Sequence, residues 1–112
     1  MTVYIVSKSQ PDYDCGSAWT SIVNNMGYKT KKSAYDAMIE DMLNEMGLSS
    51  IEQVPDKNGT DYDRIYKMHE YGIEDWGIPK DENDRKHKTC VGYVNTCDGE
   101  ITYDIQTMKV ED

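Results

Sequence analysis

The sequence predicts an α+β fold, in which an antiparallel sheet of about four strands, ordered β-β-α-α-β-β, packs against helices on one face. Three observations predict this fold: β-branched runs near both ends of the chain, an amphipathic segment in the middle, and an Asp-Gly turn before the last run. Residues 1–112 are expected to form a single domain, because a chain of 112 residues supports one ordinary core.

The N-terminal third of the chain predicts two strands. The first is expected over Thr2–Ser7, where valine, isoleucine and tyrosine predominate. A polar turn that includes Pro11 and Gly16 follows it. The second strand is expected over Ser17–Asn24, which alternates between two sets of side chains.

The clearest element is a helix predicted over Ser33–Met46. Apolar side chains recur there at helical spacing and form one stripe: Tyr35, Met38, Ile39, Met42 and Met46. Thr30 or Ser33 can cap its start by accepting hydrogen bonds from free backbone N–H groups. Gly47 suits the left-handed residue that ends a helix, and Leu48 is placed to contact Leu43.

A short helical turn and a second helix are expected next. Ser49–Gln53 has capping-box spacing, and Pro55 limits it to a short turn. The second helix is predicted over Asp61–Tyr71, with one apolar stripe formed by Tyr62, Ile65, Tyr66 and His69.

The C-terminal part predicts an irregular segment, a loop and a hairpin. Trp76, Gly77 and Pro79 are typical of irregular chain, and residues 79–88 are almost wholly charged and polar. The hairpin joins strands over Thr89–Thr96 and Glu100–Val110 through the Asp98-Gly99 turn.

Composition restricts the location and the partners. The formal net charge is −9, which disfavours direct binding to nucleic acid. The sequence has no apolar run long enough for a membrane helix and no basic leader, so a cytoplasmic protein is expected. Cys15, Cys90 and Cys97 are odd in number and form no C-x-x-C, which favours free thiols in a reducing compartment.

The acidic residues are concentrated in one stretch, between Ser33 and Asp63. That stretch holds eight acidic residues and a single basic one, Lys57, so its net charge is −7. We call the eight carboxylates the acidic array: Asp36, Glu40, Asp41, Glu45, Glu52, Asp56, Asp61 and Asp63.

Within the predicted helix, the acidic array opposes the stability of the helix. Asp36 with Glu40, and Asp41 with Glu45, form like-charged pairs four residues apart, each of which costs a few tenths of a kcal/mol. Departure from a local rule without a visible compensation favours a functional surface. A rigid array of carboxylates can imitate the phosphates of a duplex and occupy a basic nucleic-acid-binding cleft. Exposed aromatic anchors for such a contact are expected at Tyr13, Trp19 and Trp76.

One resemblance accompanies these features. Val3-Tyr-Ile-Val-Ser7, a polar turn, a second strand and then residues 29–38 resemble the opening of many small uncharacterised bacterial and phage proteins. The resemblance implies a phage or mobile-element origin, and no activity comes with it. In type, although not by a shared motif, the chain is also similar to the acidic anti-CRISPR and anti-restriction proteins of phages.

The leading hypothesis is therefore a non-enzymatic, phage-type interaction protein. It would inhibit a host nucleic-acid-binding protein, such as a CRISPR nuclease or a restriction enzyme, through the acidic array. Its partner would present a basic cleft, it would act in the host cytoplasm if phage-encoded, and no cofactor or membrane is expected.

Three alternatives compete with this hypothesis. The acidic array can simply keep a small protein dissolved. It can also pair with a basic patch, within the molecule or between copies of a self-associating accessory protein: Lys29, Lys31, Lys32, Arg85, Lys86 and Lys88. A zinc site or a metal-dependent enzyme would draw on three cysteines and two histidines: Cys15, Cys90, Cys97, His69 and His87. Paired ligand spacing and catalytic signatures are missing from the sequence, so neither an enzyme nor a bound metal is expected.

Overall fold

The computed structural model describes residues 1–12, 17–56, 59–79 and 91–111, without the side chains of residues 11–12 and 17–19. It confirms the predicted α+β class with an antiparallel sheet. The strands and helices of the described residues are β1 (Thr2–Asp12), β2 (Ser17–Ile22), α1 (Lys31–Glu45), α2 (Tyr62–Glu70), β3 (Ile73–Gly77), β4 (Gly92–Thr96) and β5 (Gly99–Lys109). Two short 3₁₀ turns, at Val23–Asn25 and Ile51–Gln53, lie before α1 and α2.

The sheet has five strands in the described residues, so the prediction of about four in the order β-β-α-α-β-β was wrong. Its spatial order is β2-β1-β5-β4-β3, and all neighbouring strands are antiparallel. The missed strand is β3, which was expected to be irregular. The buried Ile73 and Trp76 are three residues apart, which the register shift between Ile73 and Asp75 allows, so the two-residue alternation of a strand is absent from the sequence.

Strand β1, which lies between β2 and β5, extends beyond the predicted end at Ser7. It pairs with β5 from Thr2 to Ser9 and with β2 from Ser7 to Asp12. The polar residues of its second half are therefore held by hydrogen bonds to neighbouring strands, which composition does not reveal. Ser9 Oγ, for example, lies 3.0 Å from Thr20 Oγ1 across the β1–β2 pair.

Helix α1 forms close to its predicted bounds. The side chain of Thr30 accepts a hydrogen bond of 3.1 Å from the backbone N–H of Ser33, as a helix cap does. At the other end Gly47 has a φ of 72°, and the Leu48 N–H donates to the Leu43 carbonyl at 2.8 Å. The predicted cap and termination are both confirmed.

The core lies between α1 and the sheet and is rich in methionine. Met38 and Met42 of α1, and Met46 directly after the helix, are almost fully buried. They belong to one apolar cluster with sheet residues that include Val6, Val94, Ile101 and Tyr103. The sequence has no phenylalanine, and the flexible side chain of methionine is suited to filling irregular space in such a core.

Helix α2 presents a different side to the core from the one predicted. Its buried residue is Met68, whereas Tyr62, Tyr66 and His69 of the predicted stripe are exposed. Ile65 and Met68, three residues apart, form the inward side, and Met68 reaches the same core cluster as the α1 methionines. Among the described helices, none is long and apolar enough to span a membrane.

Candidate functional site

The acidic array divides into two regions of the fold. Four of its carboxylates lie on α1, and the other four lie between the short turn at Ile51–Gln53 and the first residues of α2. On α1, Asp36 and Glu40 are exposed on the side opposite the core. Asp41 and Glu45 lie on a flank of the helix that faces β1.

Lys8 of β1 binds both flanking carboxylates. Its Nζ lies 3.1 Å from Asp41 Oδ2 and 2.5 Å from Glu45 Oε1. The Tyr103 hydroxyl of β5 donates a 2.6 Å hydrogen bond to the same Asp41 oxygen. The Lys8 ammonium also lies 5.9 Å from the centre of the Tyr103 ring. We call these four residues the Lys8 cluster.

The Lys8 cluster compensates for the charge repulsion that the sequence predicts within α1. Asp41 and Glu45 repel one another along the helix, but a single ammonium on the neighbouring strand lies within ion-pair distance of both. The Lys8 side chain is only 12% exposed, so solvent screens these contacts less than it screens a surface pair. The exposed Asp36 is paired at 2.8 Å with Lys32, one turn earlier in α1.

The alternation of side chains along β1 is the sequence signal for this cluster. Tyr4, Val6 and Lys8 alternate along β1, which places Lys8 on the same side of the strand as the buried Val6. A lysine in that position needs an acidic partner, because an unpaired charge is costly to bury.

The rest of the acidic array is more open to solvent. Glu40, Glu52 and Asp63 are exposed and have no ion pair within the part of the chain that the structure describes. Asp61 Oδ2 lies 3.5 Å from Arg64 Nε, in a pair that is itself about half exposed. Asp56 is exposed as well.

Exposed aromatic side chains occur among the described residues, but Trp76 is not one of them. Trp76 is only 4% exposed and belongs to the core cluster, so its prediction as a surface anchor was wrong. Tyr13 and the side chain of Trp19 lie outside what the structure describes. Three tyrosines at α2 are instead largely exposed: Tyr62 at 72%, Tyr66 at 67% and Tyr71 at 72%.

Metal binding gains no support from the described residues. No group of three or more histidine, cysteine, aspartate or glutamate side chains among them is placed to hold a metal ion. Cys97 is an exposed free thiol in the β4–β5 turn, and His69 is exposed on α2. The other candidate ligands, Cys15, His87 and Cys90, lie outside the described residues.

Two groups of the Lys8 cluster have raised pKa values. Burial alone would lower the pKa of Lys8, but hydrogen bonds and charge from Glu45 and Asp41 outweigh it and raise that pKa above 10.5. Burial, followed by the hydrogen bond to Asp41 and the charges of Asp41 and Glu45, raises the pKa of the Tyr103 hydroxyl far above 10.0.

These pKa values predict a loss of stability in alkali. The folded chain holds both protons more tightly than the unfolded chain, so their stabilisation is complete below about pH 10 and falls as the pH rises further. Urea unfolding between pH 8 and pH 11.5, roughly spanning these ordinary pKa values, should show this decline. Tyr103→Phe should make the decline shallower, and Tyr62→Phe, which removes a tyrosine hydroxyl outside the Lys8 cluster, is the matched control. An equally steep decline in Tyr103→Phe would contradict the assignment.

Comparisons of this chain with protein-family models, with curated proteins and with solved structures give no match. The predicted resemblance to small phage proteins therefore stays a prediction.

Proposed function

We propose that this chain is a non-enzymatic interaction protein that binds a positively charged surface of another protein through its exposed carboxylates. The observation that carries the proposal is the surplus of exposed acid. Glu40, Glu52 and Asp63 face solvent without an ion pair in the described part of the chain, and the total charge is −9. Such a surface attracts a basic partner and accelerates association with it.

The carboxylates of the acidic array fall into two groups that differ in their contacts. Asp41 and Glu45 hold α1 to β1 through Lys8, whose single positive charge balances one of their two negative charges. The binding surface that we propose consists of the remaining six carboxylates: Asp36, Glu40, Glu52, Asp56, Asp61 and Asp63. The specific function that we propose is the predicted one. The chain inhibits a CRISPR or restriction nuclease by occupying its basic cleft in the cytoplasm of a phage host.

A charge-reversal experiment tests this proposal. The variant Asp36→Lys/Glu40→Lys changes two exposed positions on α1 and leaves the Lys8 cluster intact. We expect it to bind purified CRISPR and restriction nucleases at least about tenfold more weakly than the wild type at low salt, because like charges then face each other. The difference should shrink as salt screens the interface.

The matched control reverses the same number of charges elsewhere. Glu74→Lys/Glu100→Lys changes two exposed residues of β3 and β5 that lie outside the acidic array. We expect this control to bind nearly as well as the wild type. Equal weakening by both variants would show that only the net charge matters. Wild-type affinity that does not respond to salt would overturn the proposal.

A further inference from the structure

The outward side of α2 carries two tyrosines and two carboxylates in one continuous strip. Tyr62, Asp63, Tyr66 and Glu70 are all exposed, and we call them the α2 row. Tyr66 lies four residues after Tyr62, three after Asp63 and four before Glu70. Residues at these spacings are neighbours on a helix surface, with Cβ atoms about 5–6 Å apart.

Packing within the described part of the chain does not account for the α2 row. The helix is held to the core by Met68 on its opposite side, and the residues Tyr62 and Tyr66 remain 72% and 67% exposed. No hydrogen bond or ion pair in the described residues engages any side chain of the row. Its rings and carboxylates are therefore available to a partner.

The chemistry of the row suits an organic cation. The face of a tyrosine ring attracts a guanidinium or ammonium group, and arginine can stack flat upon it. A carboxylate beside the ring can accept hydrogen bonds from the same guanidinium. Tyr66 has such a carboxylate on either side, Asp63 one turn before it and Glu70 one turn after it.

We propose that the α2 row is the docking surface for an arginine-bearing basic segment of a partner protein. The inference rests on the proposed function, because charge complementarity with a chain of net charge −9 selects a basic occupant. It assigns the contact with the basic partner to a particular place on the protein. The two rings of α2 supply the specific contact, and the carboxylates of α1 supply longer-range attraction. Tyrosine is also a residue in which interface binding energy is commonly concentrated.

The test uses a fluorescent peptide that alternates arginine and glycine, with a lysine peptide of the same length as a comparison. We expect the arginine peptide to bind more tightly, and to shift backbone amide NMR signals over residues 62–70 of the full chain. Tyr62→Leu/Tyr66→Leu should weaken its binding about 5- to 30-fold, because two exposed cation–π contacts are lost. Leucine keeps apolar area and favours helix, so α2 should remain folded.

Tyr71→Leu is the matched control. Tyr71 is as exposed as Tyr62, but the residues three and four positions before it are Met68 and Lys67, so no carboxylate lies one turn before its ring. We expect less than about a twofold change in this variant, since a substitution outside the contact costs little.

The outcomes separate this inference from the proposed function. Peptide binding that weakens in Asp36→Lys/Glu40→Lys but not in the tyrosine variant would overturn the α2 row and leave the proposed function standing. No binding of either peptide to the wild type would overturn both. A wild-type dimer in sedimentation that the tyrosine variant abolishes would instead identify a second copy as the occupant and overturn the basic segment.

Discussion

Replacing Lys8 by methionine is expected to lower the free energy of unfolding by about 2–4 kcal/mol. Methionine preserves much of the length and apolar surface of the lysine side chain, so the substitution mainly removes the charge. Asp41 and Glu45 would then face one another beside Tyr103 without a cation within ion-pair distance. Their side chains are 25% and 33% exposed, which places the expected cost below that of a fully buried pair. Urea denaturation at neutral pH measures it.

Two further variants show whether the cost comes from the cluster. Lys32→Met removes the ion pair to Asp36, in which both side chains are more than half exposed, and should cost less than about 0.5 kcal/mol. Adding Asp41→Asn and Glu45→Gln to Lys8→Met should restore part of the stability, because no uncompensated charge then remains. If Lys8→Met proved as mild as Lys32→Met, the structural role assigned to Asp41 and Glu45 would be wrong.

The parts of the fold that were predicted correctly are those with local signals. Helix α1 begins two residues before and ends one residue before its predicted bounds at Ser33 and Met46. Its cap at Thr30 and its left-handed Gly47 depend on residues within a few positions of the helix ends. The parts that were missed depend on distant pairing: β1 runs to Asp12 because β2 lies beside it, and β3 is identified by its pairing with β4.

The candidate site shows the same limitation. The like-charged pair of Asp41 and Glu45 could be predicted from spacing alone, but its compensation could not. Lys8 is 37 residues away from Glu45, and Tyr103 is 62 residues away from Asp41. Charge repulsion within a helix can therefore be compensated by a side chain of a neighbouring strand. Such repulsion predicts a functional surface only after the fold is known.

The aromatic residues illustrate a second limitation. Helical spacing identifies the amphipathic character of α2, yet two apolar sides compete in its sequence. Ile65 and Met68 face the core, whereas Tyr62 and Tyr66 face solvent. Tyrosine tolerates either environment, since its ring is apolar and its hydroxyl is polar. The choice between the two sides was set by tertiary packing.

Trp76→Ala is expected to lower the free energy of unfolding by about 3–5 kcal/mol, because it removes a large buried side chain and leaves a cavity. Trp76 is 4% exposed and belongs to the core cluster, although its strand lies at the edge of the sheet. Tyr66→Ala removes a side chain that is 67% exposed and should change stability by less than about 0.5 kcal/mol. Chemical denaturation followed by circular dichroism compares the two.

Comparing these two substitutions distinguishes a residue that binds a partner from a residue that packs in the core. Trp76→Ala should weaken any binding only in proportion to unfolding, so ligand affinity measured well below the unfolding transition should stay near that of the wild type. Tyr66→Ala should do the opposite, with a stable fold and weaker binding of the arginine peptide. A mild effect of Trp76→Ala on stability would instead contradict the packing of β3 and would make Trp76 a candidate surface contact again. Both residues are aromatic, so residue type alone does not show which one stabilises the fold and which one contacts a partner. The stability and the peptide affinity of the two variants together decide this.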